Sequence, residues 1–175
     1  DMEVHELAVN GFNYLPQMTL STTLNMHVDY GNGLYTIEQG NIRLGDMEFN
    51  TTAIFKDTVD HVECDWHIKG EALDILSLAS LLPPEQQQPL KDYESNGSLN
   101  ADIVISGDIG GTYVPSVEAE FAVDNGSLME KHTGTPVSEI ILRGKYHNSV
   151  GYPFEELIID RCEAVLNGQH LKGAF

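Results

Sequence analysis

Residues 71–107 read EALDILSLASLLPPEQQQPLKDYESNGSLNADIVISG, and the reading of this stretch decides the fold. Leu73, Leu76 and Ala79, with Leu81 or Leu82 next, recur at helical spacing. That predicts one α-helix over about residues 72–82. Glu71 and Asp74 lie near its start, where the helix dipole favours acids. Pro83-Pro84 ends it, because proline cannot continue the hydrogen-bond ladder. Residues 85–94 are polar and read as a loop or a second short helical turn. Asn96-Gly97 then opens a strand over 98–106, with Leu99, Ala101, Ile103 and Ile105 on one face. A single helix between two strands predicts a sheet with that helix laid on its apolar face. Leu76 is then a core residue of the helix, and Leu76→Asp is expected to unfold the chain.

Outward from this stretch the chain alternates. Upstream, Val62, Cys64, Trp66 and Ile68 face one way and His61, Glu63, Asp65, His67 and Lys69 the other. Met47, Phe49, Thr51, Ala53 and Phe55 alternate with Glu48, Asn50, Thr52 and Lys56, with a slip at Ile54. Leu20, Thr22, Leu24, Met26, Val28 and Tyr30 form another one-sided run. Downstream, Val117, Ala119, Phe121 and Val123 alternate with Glu118, Glu120 and Asp124. Runs of period two with one wet face predict antiparallel strands. Turns are expected at Asn10-Gly11, 31–33, Gln39-Gly40, 107–111, Asn125-Gly126 and Asn167-Gly168. Residues 40–55 and 156–175 resemble each other as strand, small polar step and second strand, which suggests a sheet that grows by addition. The expected fold is mainly β: a twisted, curved antiparallel sheet of repeated strands with one α-helix on its apolar face.

At 175 residues the chain fits one domain with room for a core. It starts at Asp1 and stops at Phe175 in mid-pattern, which predicts an excised segment of a longer protein. Its 9 Lys and Arg against 27 Asp and Glu give a formal charge of -18. That argues against nucleic acid, whose binding neutralises phosphates, and against docking on an anionic membrane through a basic patch. No apolar run reaches the roughly 18 residues of a membrane span. No secretory signal is present in the sequence.

No constellation spells out catalysis, and the sequence predicts no enzyme, no cofactor and no metal. His61, Cys64 and His67 resemble a metal cluster only at first sight. In a strand Cys64 points away from both histidines, which would lie roughly 20 Å apart at about 3.3 Å per residue. Cys64 and Cys162 form no zinc spacing and are expected as free thiols. Residues 107–111 are glycine-rich but lack the lysine and following helix of a phosphate loop, so they read as a turn. No serine sits in a nucleophile elbow. Trp66, Ile68, Phe49, Phe55 and Phe121, with Tyr30 and Leu76, fall on apolar faces. The same residues suit a filled core or an open apolar groove.

The stretch ALDILSLASLLPPEQQQPLKDYESNGSLNADIVISG resembles the AsmA-like family, including its TamB-type members. The shared pattern is a leucine-rich helix ending in Pro-Pro, a polar spacer, and G-x-L-x-A-D-x-x-x-x-G. VEAEFAVDNGSL and LIIDRCEAVLNGQHLKGAF are similar to later sheet repeats of that family. The resemblance implies a segment of a large periplasmic protein of a Gram-negative envelope. Such a protein is anchored to the inner membrane by a segment outside this chain. It also implies a part in outer-membrane assembly and lipid transfer through an apolar β-groove, with phospholipid or another envelope lipid as partner. The family supplies no catalytic residues. A β-rich surface binding module, such as an adhesin or glycan-binding domain, is the alternative reading.

Overall fold

The computed structural model describes residues 8–9, 12–13, 19–76, 88–148 and 155–174. β1 (Ala8–Val9) and β2 (Phe12–Asn13) pair with each other as a separate two-stranded sheet. The main sheet has nine strands in sequence order. They are β3 (Leu20–Asp29), β4 (Leu34–Leu44), β5 (Met47–Asp57), β6 (Val62–Asp74), β7 (Tyr93–Ile109), β8 (Ser116–Glu130), β9 (Pro136–Asn148), β10 (Glu156–Leu166) and β11 (Gln169–Gly173). Each pairs antiparallel with the next. The sheet does not close: β3 is one edge and β11 the other. Short connections and strictly local pairing follow from hairpin turns at nearly every step. The β10–β11 turn has both Asn167 and Gly168 at positive φ, as a type I′ turn requires.

The expected antiparallel sheet is therefore present, but the helix reading needs correction. Residues 72–74, expected as the first turn of the helix, continue β6. Ile75 and Leu76 turn into helical backbone, and residues 77–82 lie outside the described residues. Among the described residues no α-helix is packed on the sheet. Leu76 lies beyond the end of β6 and is half-buried. Leu73, expected on the helix, lies instead in β6, at 2% exposure and opposite Leu99.

Several expected turns are bulges within longer strands. Gln39-Gly40 does not end a strand: β4 runs through it with a register shift between Ile37 and Gly40. Asn125-Gly126 is no hairpin either, since β8 runs through it to Glu130. Asn125 has φ 53° and Ala72, in the β6 bulge, has φ 55°. A bulge places an extra residue in one strand and often needs a left-handed conformation, the same demand that a tight hairpin makes of Asn-Gly. Shifts at residues 70–73, 96–98, 123–126 and 163–165 form a line across β6 to β10. Two of the three most buried side chains, Leu73 and Val123, each 2% exposed, lie along it, and the third, Met47, starts β5.

Candidate functional site

In an antiparallel ladder, residues directly opposite share a face, so the register reads out the face row by row. One row runs Thr22, Ile42, Phe49, Gly70, Ala101, Phe121, Gly144, Ile159. The next runs Leu24, Gly40, Thr51, Ile68, Ile103, Ala119, Tyr146, Leu157. A third holds Met26, Ile37, Ala53, Trp66, Ile105 and Val117. These rows make one apolar face that spans β3 to β10. Phe49, Phe55, Trp66, Ile68 and Phe121 all lie on it, half-buried. Leu76 and Tyr30 do not join them on the ladder. Tyr30 falls in the turn after β3 and is 84% exposed, because the strand ends at Asp29.

Along the first row each phenylalanine stands opposite a glycine: Phe49 opposite Gly70 and Phe121 opposite Gly144. The Phe121 ring occupies the space a side chain at Gly144 would need, and a Cβ at Gly70 would stand 3.0 Å from the ring of Phe49. An aromatic laid over a cross-strand glycine covers backbone that would otherwise be wet. Phe55 meets Trp66 edge-on, with centroids 6.1 Å apart and planes at 62°. Trp66 Nε1 donates to Thr51 Oγ1 at 2.6 Å, and that hydroxyl donates to the His67 carbonyl at 2.9 Å. Thr51 is only 4% exposed, so this chain of bonds keeps a buried hydroxyl and an indole N–H satisfied. Thr51 was legible as a face residue, but its role as the polar anchor of Trp66 was not.

Substantial contacts between elements run only along ladder neighbours. The strands that carry this face belong to one open nine-stranded sheet. Past β6, Ile75 reaches back to the sheet, with its Cδ1 3.2 Å from where a Cβ on Gly126 would stand.

The opposite face carries charge. Asn50, Lys69, Asp102, Glu120, Lys145 and Ile158 form its central row. A depression of about 500 Å³ lies over it. Its cations are paired: Lys69 with Asp102 at 3.1 Å and Lys145 with Glu120 at 2.6 Å. His67 also bonds to Asp102. Burial works to raise the Asp102 carboxyl, but its bonds to His67 and Lys69 outweigh that and lower it. His61 pairs with Asp108 at 3.3 Å and meets the Tyr113 ring at a tilt of 52°, centroids 5.2 Å apart. Cys64 is buried on the apolar face, 6% exposed, and burial, followed by the charge of Asp65, pushes its thiol up. Cys64 and Cys162 are both free thiols. Among the described residues no three His, Cys, Asp or Glu side chains converge on a metal position. The arrangement offers a broad apolar surface on one side and paired charges on the other. No family model matches this chain, and neither a curated protein nor a solved structure matches it.

Proposed function

We propose that this chain is a non-enzymatic, lipid-binding segment of an AsmA-like envelope protein, and that the apolar face of its sheet holds acyl chains. The reading places it in the periplasm of a Gram-negative cell, anchored to the inner membrane through another part of the protein, in lipid transfer and outer-membrane assembly. The observation that carries it is the row structure: aliphatic and aromatic side chains recur across β3 to β10 on one face of a single open sheet. A filled two-layer core needs a second apolar surface against such a face. An open sheet that keeps its apolar side available can give up that surface to lipid chains, at about 0.8 kcal/mol per buried methylene. The paired charges opposite keep the outer side in water.

The experiment is lipid extraction and mass spectrometry of the purified protein. Phospholipid in stoichiometric amount supports the reading. Leu157 lies on the face and is 57% exposed, so Leu157→Asp spares the packing. That variant is expected to keep its melting temperature and carry less lipid. Lipid-free protein that also takes up none from phospholipid vesicles would count against the proposal.

A surface binding module is the second reading, favoured by one observation. The loops at one end of the sheet expose Tyr30, Val59 (97% exposed), Tyr113 and Val114. A glycan array tests it, with binding lost in Tyr113→Ala.

A further inference from the structure

An open sheet has two edges, and the two differ here. The β11 edge is five residues long and carries Lys172 and Gly173. Short length and an edge lysine are the usual protections against strand addition. The β3 edge is ten residues, LSTTLNMHVD, with no proline, lysine or arginine. The register shift it shares with β4 leaves β3 itself consecutive from Leu20 to Asp29, because the extra residue, Glu38, is on β4. Leu24 and Met26 on its apolar side are 43% and 52% exposed, among the most exposed residues of that face. Its outer row of backbone N–H and C=O groups has no strand partner among the described residues.

Charge narrows the occupant. The chain carries a formal charge of -18, so two copies repel except where charge is locally absent. On β3 the charged group is Asp29, at the strand's end, and its carboxylate is engaged by Asn32 and the Gly31 N–H. His27 is the other titratable side chain of the strand. From β4, Glu38 bonds Asn25 and Arg43 is held by Glu48. β3 and β4 together thus carry two carboxylates, Asp29 and Glu38, against one cation, Arg43, a low charge in a strongly acidic molecule.

We propose that the β3 edge is a self-pairing surface, at which a second copy of this chain adds its own β3 antiparallel about a two-fold axis normal to the sheet. That axis keeps the two apolar faces on one side and makes them continuous. Because side chains alternate, even-numbered residues must then face even-numbered residues. The two registers with the fullest overlap put either Leu24 opposite Leu24 of the partner subunit, or Asn25 opposite Asn25 of the partner subunit. In either, Thr22, Leu24, Met26 and Val28 cover one another on the apolar side. The inference stands apart from lipid binding: a dimer can form whether or not the face holds lipid.

Sedimentation equilibrium of the 175-residue chain tests it. The expected result is a concentration-dependent rise to twice the 19.3 kDa of one chain. The dimer should strengthen with salt, as the screening length falls from about 10 Å at 0.1 M to about 3 Å at 1 M. The double variant Thr23→Lys/Asn25→Lys sets like charges across the axis in both registers and is expected to stay single, with an unchanged circular dichroism spectrum. A single-chain mass at both salt concentrations would overturn the proposal. So would open-ended growth, or a dimer that survives the double variant. Should that variant not fold, single cysteines placed at 23 to 26 in a Cys162→Ser background decide. Interchain disulfide concentrated at 24 or at 25 supports the two-fold pairing, and equal cross-linking at all four positions refutes it.

Discussion

Leu73→Ala is the perturbation that most sharply tests where the fold is held together. Leu73 sits past the β6 bulge, 2% exposed, facing Leu99, with its Cδ1 2.5 Å from where a Cβ on Gly70 would lie. The substitution removes three carbons. At about 0.8 kcal/mol per buried methylene, the transfer loss is about 2.4 kcal/mol. Gly70 has no side chain to move into the space, so the void adds to that, for a total of about 3–4 kcal/mol. For a chain of this size the melting temperature should fall by about 6–16 °C. The assay is urea denaturation followed by circular dichroism, with differential scanning fluorimetry alongside. Val59→Ala is the control: Val59 is 97% exposed and its loss should change stability by less than about 0.5 kcal/mol. If Leu73→Ala and Val59→Ala behave alike, the line of bulges is not the packed centre of this sheet.

Three further outcomes follow from the same structure. Gly144→Val drives a side chain into the ring of Phe121 and should cost about 1–3 kcal/mol; Phe121→Ala in the same chain should recover part of the loss, read as a non-additive double-mutant cycle. Glu130 caps the β8–β9 turn through the side chain of Thr133 and the backbone N–H groups of His132 and Thr133, which lower its carboxyl to about 2. A depressed carboxylate adds stability above its unfolded value of 4.5 and loses it as pH falls towards 2, so thermal melts should decline across that window and Glu130→Gln should flatten the decline. Cys64, buried with a raised thiol, should react with Ellman's reagent far more slowly than half-buried Cys162, and equal rates would show that the apolar face opens freely.

The faces of the central strands were legible because alternation has no competing explanation there. Val62, Cys64, Trp66 and Ile68 share a face in the register as they do in the pattern, and so do Leu99, Ala101, Ile103 and Ile105. Ile54, where the pattern slipped, lies on the charged side and is 48% exposed. The helix over 72–82 was misread at its start for a physical reason. A bulge adds one residue, so Gly70 and Leu73 share a face at a spacing of three, and Leu73 to Leu76 repeats that spacing. Three-residue steps imitate helical period. Val123 and Gly126 show the same step in β8. The Asn-Gly dipeptide misled in the same way, because a bulge and a hairpin make one conformational demand. The apolar face was legible as a set of residues. That one open sheet presents it depends on long-range pairing that local pattern does not encode.

The chain has one tryptophan, Trp66, and it lies in the middle of the apolar face. Titrating the protein with vesicles of phospholipid brominated along the acyl chain, against vesicles of the unbrominated lipid, therefore reads the proposed site directly. Acyl chains on this face predict that Trp66 emission is quenched by the brominated lipid alone, and less so in Leu157→Asp. Equal emission with both lipids, at concentrations where lipid is bound, would place the acyl chains elsewhere and contradict the account.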